Sequence, residues 1–195
     1  VNTQVLWYSA RAAGIVAWAL ATASVVWGLA LSTRATGRTA RPAWLFDLHR
    51  FLGGIALTFT GIHVSSVLVD SYVHFGLVNV LVPFTGTWHP LAVAWGIVAF
   101  YALLAVELTS LARPRIPKVL WRRVHFASFA LFAAGTVHAL TAGTDAHSTA
   151  FTIAALAACG LVGALTAIRV ATSLEARRRR AIPPAPPAPA VTRAA

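Results

Sequence analysis

Acidic residues are scarce in this 195-residue chain, five Asp and Glu against sixteen Lys and Arg, and there is one cysteine and no methionine. A lone Cys159 can form no internal disulfide and says little about redox compartment. The lack of methionine, with Val1 first, points to a non-standard start or a trimmed chain. Charged residues make up only 11% against 58% hydrophobic, and the mean hydropathy is +0.72. That balance excludes an ordinary soluble domain and implies an integral membrane protein. No internal repeat of fixed period is visible. The first apolar run lacks the basic leader and small-residue cleavage site of a signal peptide, so it is expected to act as its own insertion signal.

A helix needs about 20 apolar residues to cross roughly 30 Å of hydrocarbon. Five runs qualify, at about 7–31, 44–69, 90–111, 119–140 and 149–171. Lipid cannot satisfy an open backbone, so the expected fold is an all-α integral membrane protein, a bundle of five transmembrane helices. The apolar stretch YVHFGLVNVLVPF (72–84) is too short to span and is expected along the membrane surface or as a shallow re-entrant piece. Residues 1–173 form the expected transmembrane domain. Residues 174–195, rich in arginine, then proline and alanine, read as a disordered cytoplasmic tail, too short for a flavin or nucleotide domain.

The net charge of +11 invites a nucleic-acid reading, which the placement of the charge opposes. Arg34, Arg38, Arg41 and Arg50 surround the first loop, Arg113, Arg115, Lys118, Arg122 and Arg123 the third, and Arg169 and Arg177 to Arg180 follow the last span. The second and fourth loops carry no Lys or Arg. This alternation is the positive-inside pattern, and it predicts a multi-pass protein of the plasma (inner) membrane with its N-terminus outside and C-terminus cytoplasmic. No nucleic-acid partner is expected.

Four of the seven histidines fall inside spans. His49 and His63 lie fourteen apart on the second span, and His125 and His138 thirteen apart on the fourth. Both spans leave arginine-rich loops, so His49 and His125 share an inner level and His63 and His138 an outer one. Fourteen residues at 1.5 Å each separate the levels by about 21 Å. One imidazole from each of two helices supplies both axial ligands that a porphyrin leaves open on haem iron. At about 100° per residue, His63 returns to within roughly 40° of His49, whereas His138 ends about 140° from His125 on a straight helix. Either the fourth span bends, with Gly135 a candidate, or its two haems approach from different flanks.

The segments LHRFLGG and GIH in the second span, and LWRRVHFASF and GTVHAL in the fourth, are similar to the ligand segments of the ferric reductase-like membrane domain. That domain is shared by ferric reductases, NADPH oxidases and the haem subunit of the periplasmic methionine sulfoxide reductase system. The resemblance covers residues 8–170, and its specific part is the histidine spacing. It implies a b-type cytochrome with two haem b groups, His49 paired with His125 at the inner haem and His63 with His138 at the outer. Many relatives have six spans and a cytosolic flavin and NADPH module. This chain has five spans and no such module, which implies an oxidoreductase membrane subunit fed by a separate electron-donor flavoprotein or quinol. The fragments PFTG (83–86) and HP (89–90) are similar to parts of the flavin motif of the fused enzymes, but they read here as loop and helix start.

Further candidates are weaker. Arg41, Arg50, Arg122 and Arg123 stand at the depth of inner-haem propionates, with Arg50 and Arg122 preferred as contacts; topology signal and lipid headgroups explain any one arginine as well. Gly53, Gly54 and Gly61 are candidates to clear space for a flat macrocycle, or to serve close helix packing. His74, His89 and His147, with Asp70, Tyr72 and Asp145, make a candidate outer metal site, ordinary interfacial polarity being the simpler reading. Glu107 is an intramembrane carboxylate suited to a proton or quinol contact, or to snorkelling. Three functions remain in view. The first is electron transfer from a cytoplasmic donor to an external acceptor or reductase partner. The second is a quinol-linked haem subunit of a periplasmic reductase. The third is a haem-free transporter or assembly factor using histidines as proton or metal relays.

Overall fold

The computed structural model describes residues 3–33, 42–70, 75–145 and 148–181. Every regular element among them is helical: α1 (Thr3–Thr33), α2 (Ala43–Val69), α3 (Leu77–Leu81), α4 (Pro90–Leu111), a 3₁₀ turn (Arg113–Arg115), α5 (Lys118–His125), α6 (Ala127–Ala142) and α7 (Thr149–Ala181). Five spans are long and apolar enough to cross a membrane: α1, α2, α4, α5 with α6, and α7. The chain is a multi-pass, all-helical membrane protein whose apolar surface belongs in a lipid bilayer.

Proline punctuates the helix starts. Pro42 and Pro117 occupy the N-cap positions of α2 and α5, and Pro90 opens α4 where its missing N–H costs nothing. The tail departs from expectation. Helix α7 runs on to Ala181, through the Leu, Glu, Ala and Arg of 174–181, all good helix formers. Arg178, Arg179 and Arg180 fall in its last turn, where cations complement the helix dipole. Residues 182–195 of the expected tail lie outside the described residues.

The fourth span is broken, and the break is at Phe126 rather than Gly135. The Phe126 N–H donates to the Arg122 carbonyl at 3.2 Å, and the Phe129 N–H turns to the Phe126 carbonyl at 3.1 Å, a step of three residues in place of four. Such a turn winds tighter than the α-helix and offsets the axis. Gly135 lies within regular α6, against Ala99 of α4. His125 therefore ends α5 while His138 rides on α6, on the other side of the break.

Backbones approach most closely within two antiparallel pairs, α1 with α2 and α4 with α6; α7 packs on α1. Alanines make this possible: Ala10, Ala13 and Ala17 on α1, and Ala92, Ala94 and Ala99 on α4, are buried. Midway along the bundle Leu57 of α2 packs on a cluster of Ala99, Leu103, Leu131 and Ala134. Trp18 of α1 reaches α6, its indole N–H donating to Thr136 Oγ1 at 3.0 Å, and Thr136 is buried. Thr136→Val leaves that N–H unpaired and is expected to destabilise the protein by about 0.5–1.5 kcal/mol, measured by thermal unfolding in detergent against Trp18→Phe.

Candidate functional site

The four span histidines meet in two pairs across the space between the α1–α2 and α4–α6 layers. The rings of His49 (α2) and His125 (α5) have centres 6.0 Å apart and planes at 72°. Those of His63 (α2) and His138 (α6) are 6.2 Å apart at 76°. A metal–imidazole bond of about 2.0–2.1 Å, with the ring centre roughly 1.1 Å behind the nitrogen, sets two opposed imidazoles on one metal about 6.3 Å apart. The two ring separations are close to that value.

Hydrogen bonds fix the rings at the far pair. His63 Nδ1 lies 2.7 Å from the Ala10 carbonyl and His138 Nδ1 2.9 Å from the Ala92 carbonyl. A carbonyl acceptor makes Nδ1 the protonated nitrogen and leaves Nε2 with its lone pair free to ligate. At the pair nearer the basic loops, His49 Nδ1 meets Ser24 Oγ at 3.3 Å, and His125 Nδ1 is buried without a partner. Trp121 stacks on His125 at 5.0 Å. Arg113 lies over Trp121 and Arg169 over Phe126, both within electrostatic range of His125.

Three glycines make room for the rings. A Cβ at Gly14 would stand 2.9 Å from His63 Nδ1, one at Gly28 3.1 Å from His49 Cε1, and one at Gly96 2.8 Å from His138 Cε1 and Nδ1. Gly14 and Gly28 repeat on α1, in antiparallel register, the fourteen-residue interval of His63 and His49. That repeated interval is the sequence signal by which these glycines can be found. Gly54 and Gly61, by contrast, face open space, and Gly53 receives the Glu107 carboxylate against its α-carbon. Glu107 thus packs one turn from His49, half-buried between α4 and α2.

A cavity of about 390 Å³ surrounds the far pair, with His63, His138, Gly14, Gly96, Phe100 and Phe132 in its walls. Leu103 and Leu131, of the cluster between the two levels, also line it. Cavity size and apolar walls suit a flat organic group held by a few polar contacts. At the His63–His138 pair, donor set, ring spacing, glycine clearance and cavity are together compatible with haem. Among the described residues no group of three or more His, Cys, Asp or Glu side chains converges as in a bare metal site.

Other sequence candidates are placed differently. Arg50 and Arg122 are exposed, and Arg50 pairs with Asp47 at 3.9 Å; one residue from His49 is already about 100° around the helix. The cations that approach His125 are Arg113 and Arg169. Arg123 is also exposed, and Arg41 lies outside the described residues. His89 caps α4 with left-handed backbone (φ 37°), its ring beside Trp88 at 4.6 Å. His74, His147 and Tyr72 lie outside the described residues. Asp70 and Asp145 line the cavity.

Asp145 has a partner that the sequence did not reveal. Arg11 of α1 grips it with Nε at 2.6 Å from Oδ2 and with Nη2 on Oδ1, while stacking on Trp7. This bidentate contact ties α1 to the α6–α7 loop at the rim of the cavity. The Arg11 hydrogen bonds hold Asp145 below the usual carboxylate range. A depressed folded-state value means that the contribution is present above the unfolded value of about 3.9 and is lost as pH falls through the folded one. Asp145→Asn is expected to lower the detergent melting temperature at pH 7, with the difference from wild type closing toward about pH 3.

No protein-family model, curated protein or solved structure matches the chain.

Proposed function

We propose that the protein is a b-type cytochrome that carries electrons across the membrane, with two haem b groups held between α2 and the broken fourth span. The observation that carries this reading is the pair of ring separations, 6.0 and 6.2 Å, at two levels about 21 Å apart along α2. Bound haem would supply reversible one-electron redox chemistry. The chain's own residues do the rest. His49 with His125, and His63 with His138, would hold the two groups. The Ala10 and Ala92 carbonyls orient two of the rings, and Gly14, Gly28 and Gly96 give three of them space.

The positive-inside rule supports an orientation. Arg113, Arg115, Lys118, Arg122 and Arg123 mark the cytoplasmic side, so His49 and His125 are the inner pair and the cavity of His63 and His138 the outer. Electrons would enter from a cytoplasmic flavoprotein or quinol and leave to an external acceptor or reductase partner. This matches the ferric reductase-like resemblance of the ligand segments. Pyridine haemochrome analysis of purified, haem-supplied protein should return about two b haems per chain with a dithionite-reduced α-band. Well-folded protein without that band would favour the haem-free relay.

A further inference from the structure

The two histidine pairs are not equivalent. Both outer rings donate Nδ1–H to backbone carbonyls, at 2.7 and 2.9 Å. Such a bond gives the imidazole more anionic character, makes it a stronger donor to the metal and favours the more positive, oxidised state. The inner rings have weaker support, Ser24 at 3.3 Å for His49 and nothing for His125 Nδ1. Register sharpens the comparison. Ala10 and Ser24 lie fourteen apart on α1, at matching positions four residues before Gly14 and Gly28.

Two cations near the inner pair act in the same direction, opposed by the Glu107 carboxyl group one turn from His49. Arg113, over the Trp121 ring that stacks on His125, and Arg169, over Phe126, place cations beside the inner pair. Reduction adds one electron and removes one unit of positive charge, so nearby cations favour it. At the outer pair Arg11 is neutralised by Asp145. Ligand basicity and these two cations therefore reinforce one another.

We infer that the two levels differ in reduction potential, with the His49–His125 level the higher, so that an electron shared between them rests at the basic face. This rests on the cofactor reading above and adds to it an order of potentials. Transfer outward is then the step that needs a driving force, which an inside-negative membrane potential or an oxidising acceptor supplies.

The test is potentiometry of the haem-loaded full chain in detergent, followed at the α-band, with dithionite as reductant and ferricyanide as oxidant. Two separate waves are expected. His138→Ala should abolish the lower wave and keep the higher. Arg169→Gln should shift the higher wave downward and leave the lower in place, and Ser24→Ala should shift the higher wave upward. Coincident waves in the wild type, loss of the higher wave in His138→Ala, or an Arg169→Gln shift that is absent or falls on the lower wave, would each overturn the inference. Should His138→Ala fail to fold, the other two variants decide. Absence of any redox-active α-band defeats the cofactor reading itself, which is a separate result.

Discussion

His138→Ala is expected to cut bound haem to about half, from two groups per chain to one. The inner pair of His49 and His125 shares no ring contact with His138, and the leucines of the mid-bundle cluster stand between the two levels. Loss of one axial nitrogen should therefore be local. His125→Ala is the mirror experiment, removing the inner group and sparing the outer. Haem per chain by pyridine haemochrome, with the α-band of what remains, reads both results. A complete loss of haem in His138→Ala would mean that the two levels assemble as one unit, against the separation drawn here.

Gly96→Ala is expected to have the second largest effect, and its sign is informative. In a helix interior, alanine in place of glycine ordinarily stabilises by about 0.8–1.0 kcal/mol. Here the new Cβ would stand 2.8 Å from two atoms of the His138 ring, closer than such contacts occur. The ring must move, and with it the 2.9 Å bond to the Ala92 carbonyl. Disturbing the partner that orients a metal-bound histidine typically weakens metal binding about 10- to 100-fold, and outer-haem retention should fall on that scale. Gly54→Ala is the control, since nothing lies within 4 Å of its Cβ. It should keep both haems and gain slightly in stability.

The sequence carried the histidine levels because depth along a membrane helix is a linear count, and His49 to His63 is a count of fourteen. Likewise the bounds of α2 and α4 follow from apolar length and from Pro42 and Pro90. Helix phase is harder. The thirteen-residue interval on the fourth span left a bend or an approach from two flanks open, and the break at Phe126 involves neither proline nor glycine. It depends on which carbonyl the Phe129 N–H takes, a choice made by packing.

Contacts between helices were the least legible. Gly53, Gly54 and Gly61 are visible beside the ligands in sequence, whereas the glycines against the rings, Gly14, Gly28 and Gly96, lie on other helices. Arg50 and Arg122 are singled out by depth, while Arg113 and Arg169 lie over Trp121 and Phe126, the aromatic neighbours of His125, from the 3₁₀ turn and α7. Arg11 escaped notice because its partner Asp145 is 134 residues away.

Electron paramagnetic resonance of the oxidised, haem-loaded protein tests the ligation most directly. Iron held between two imidazoles feels the angle between their planes, because nearly crossed planes leave the orbitals that overlap the rings close in energy. Planes at 72° and 76° predict two low-spin signals of strong anisotropy with a large maximum g value. High-spin signals alone, or low-spin intensity for only one iron per chain, would contradict two histidine pairs each gripping one iron.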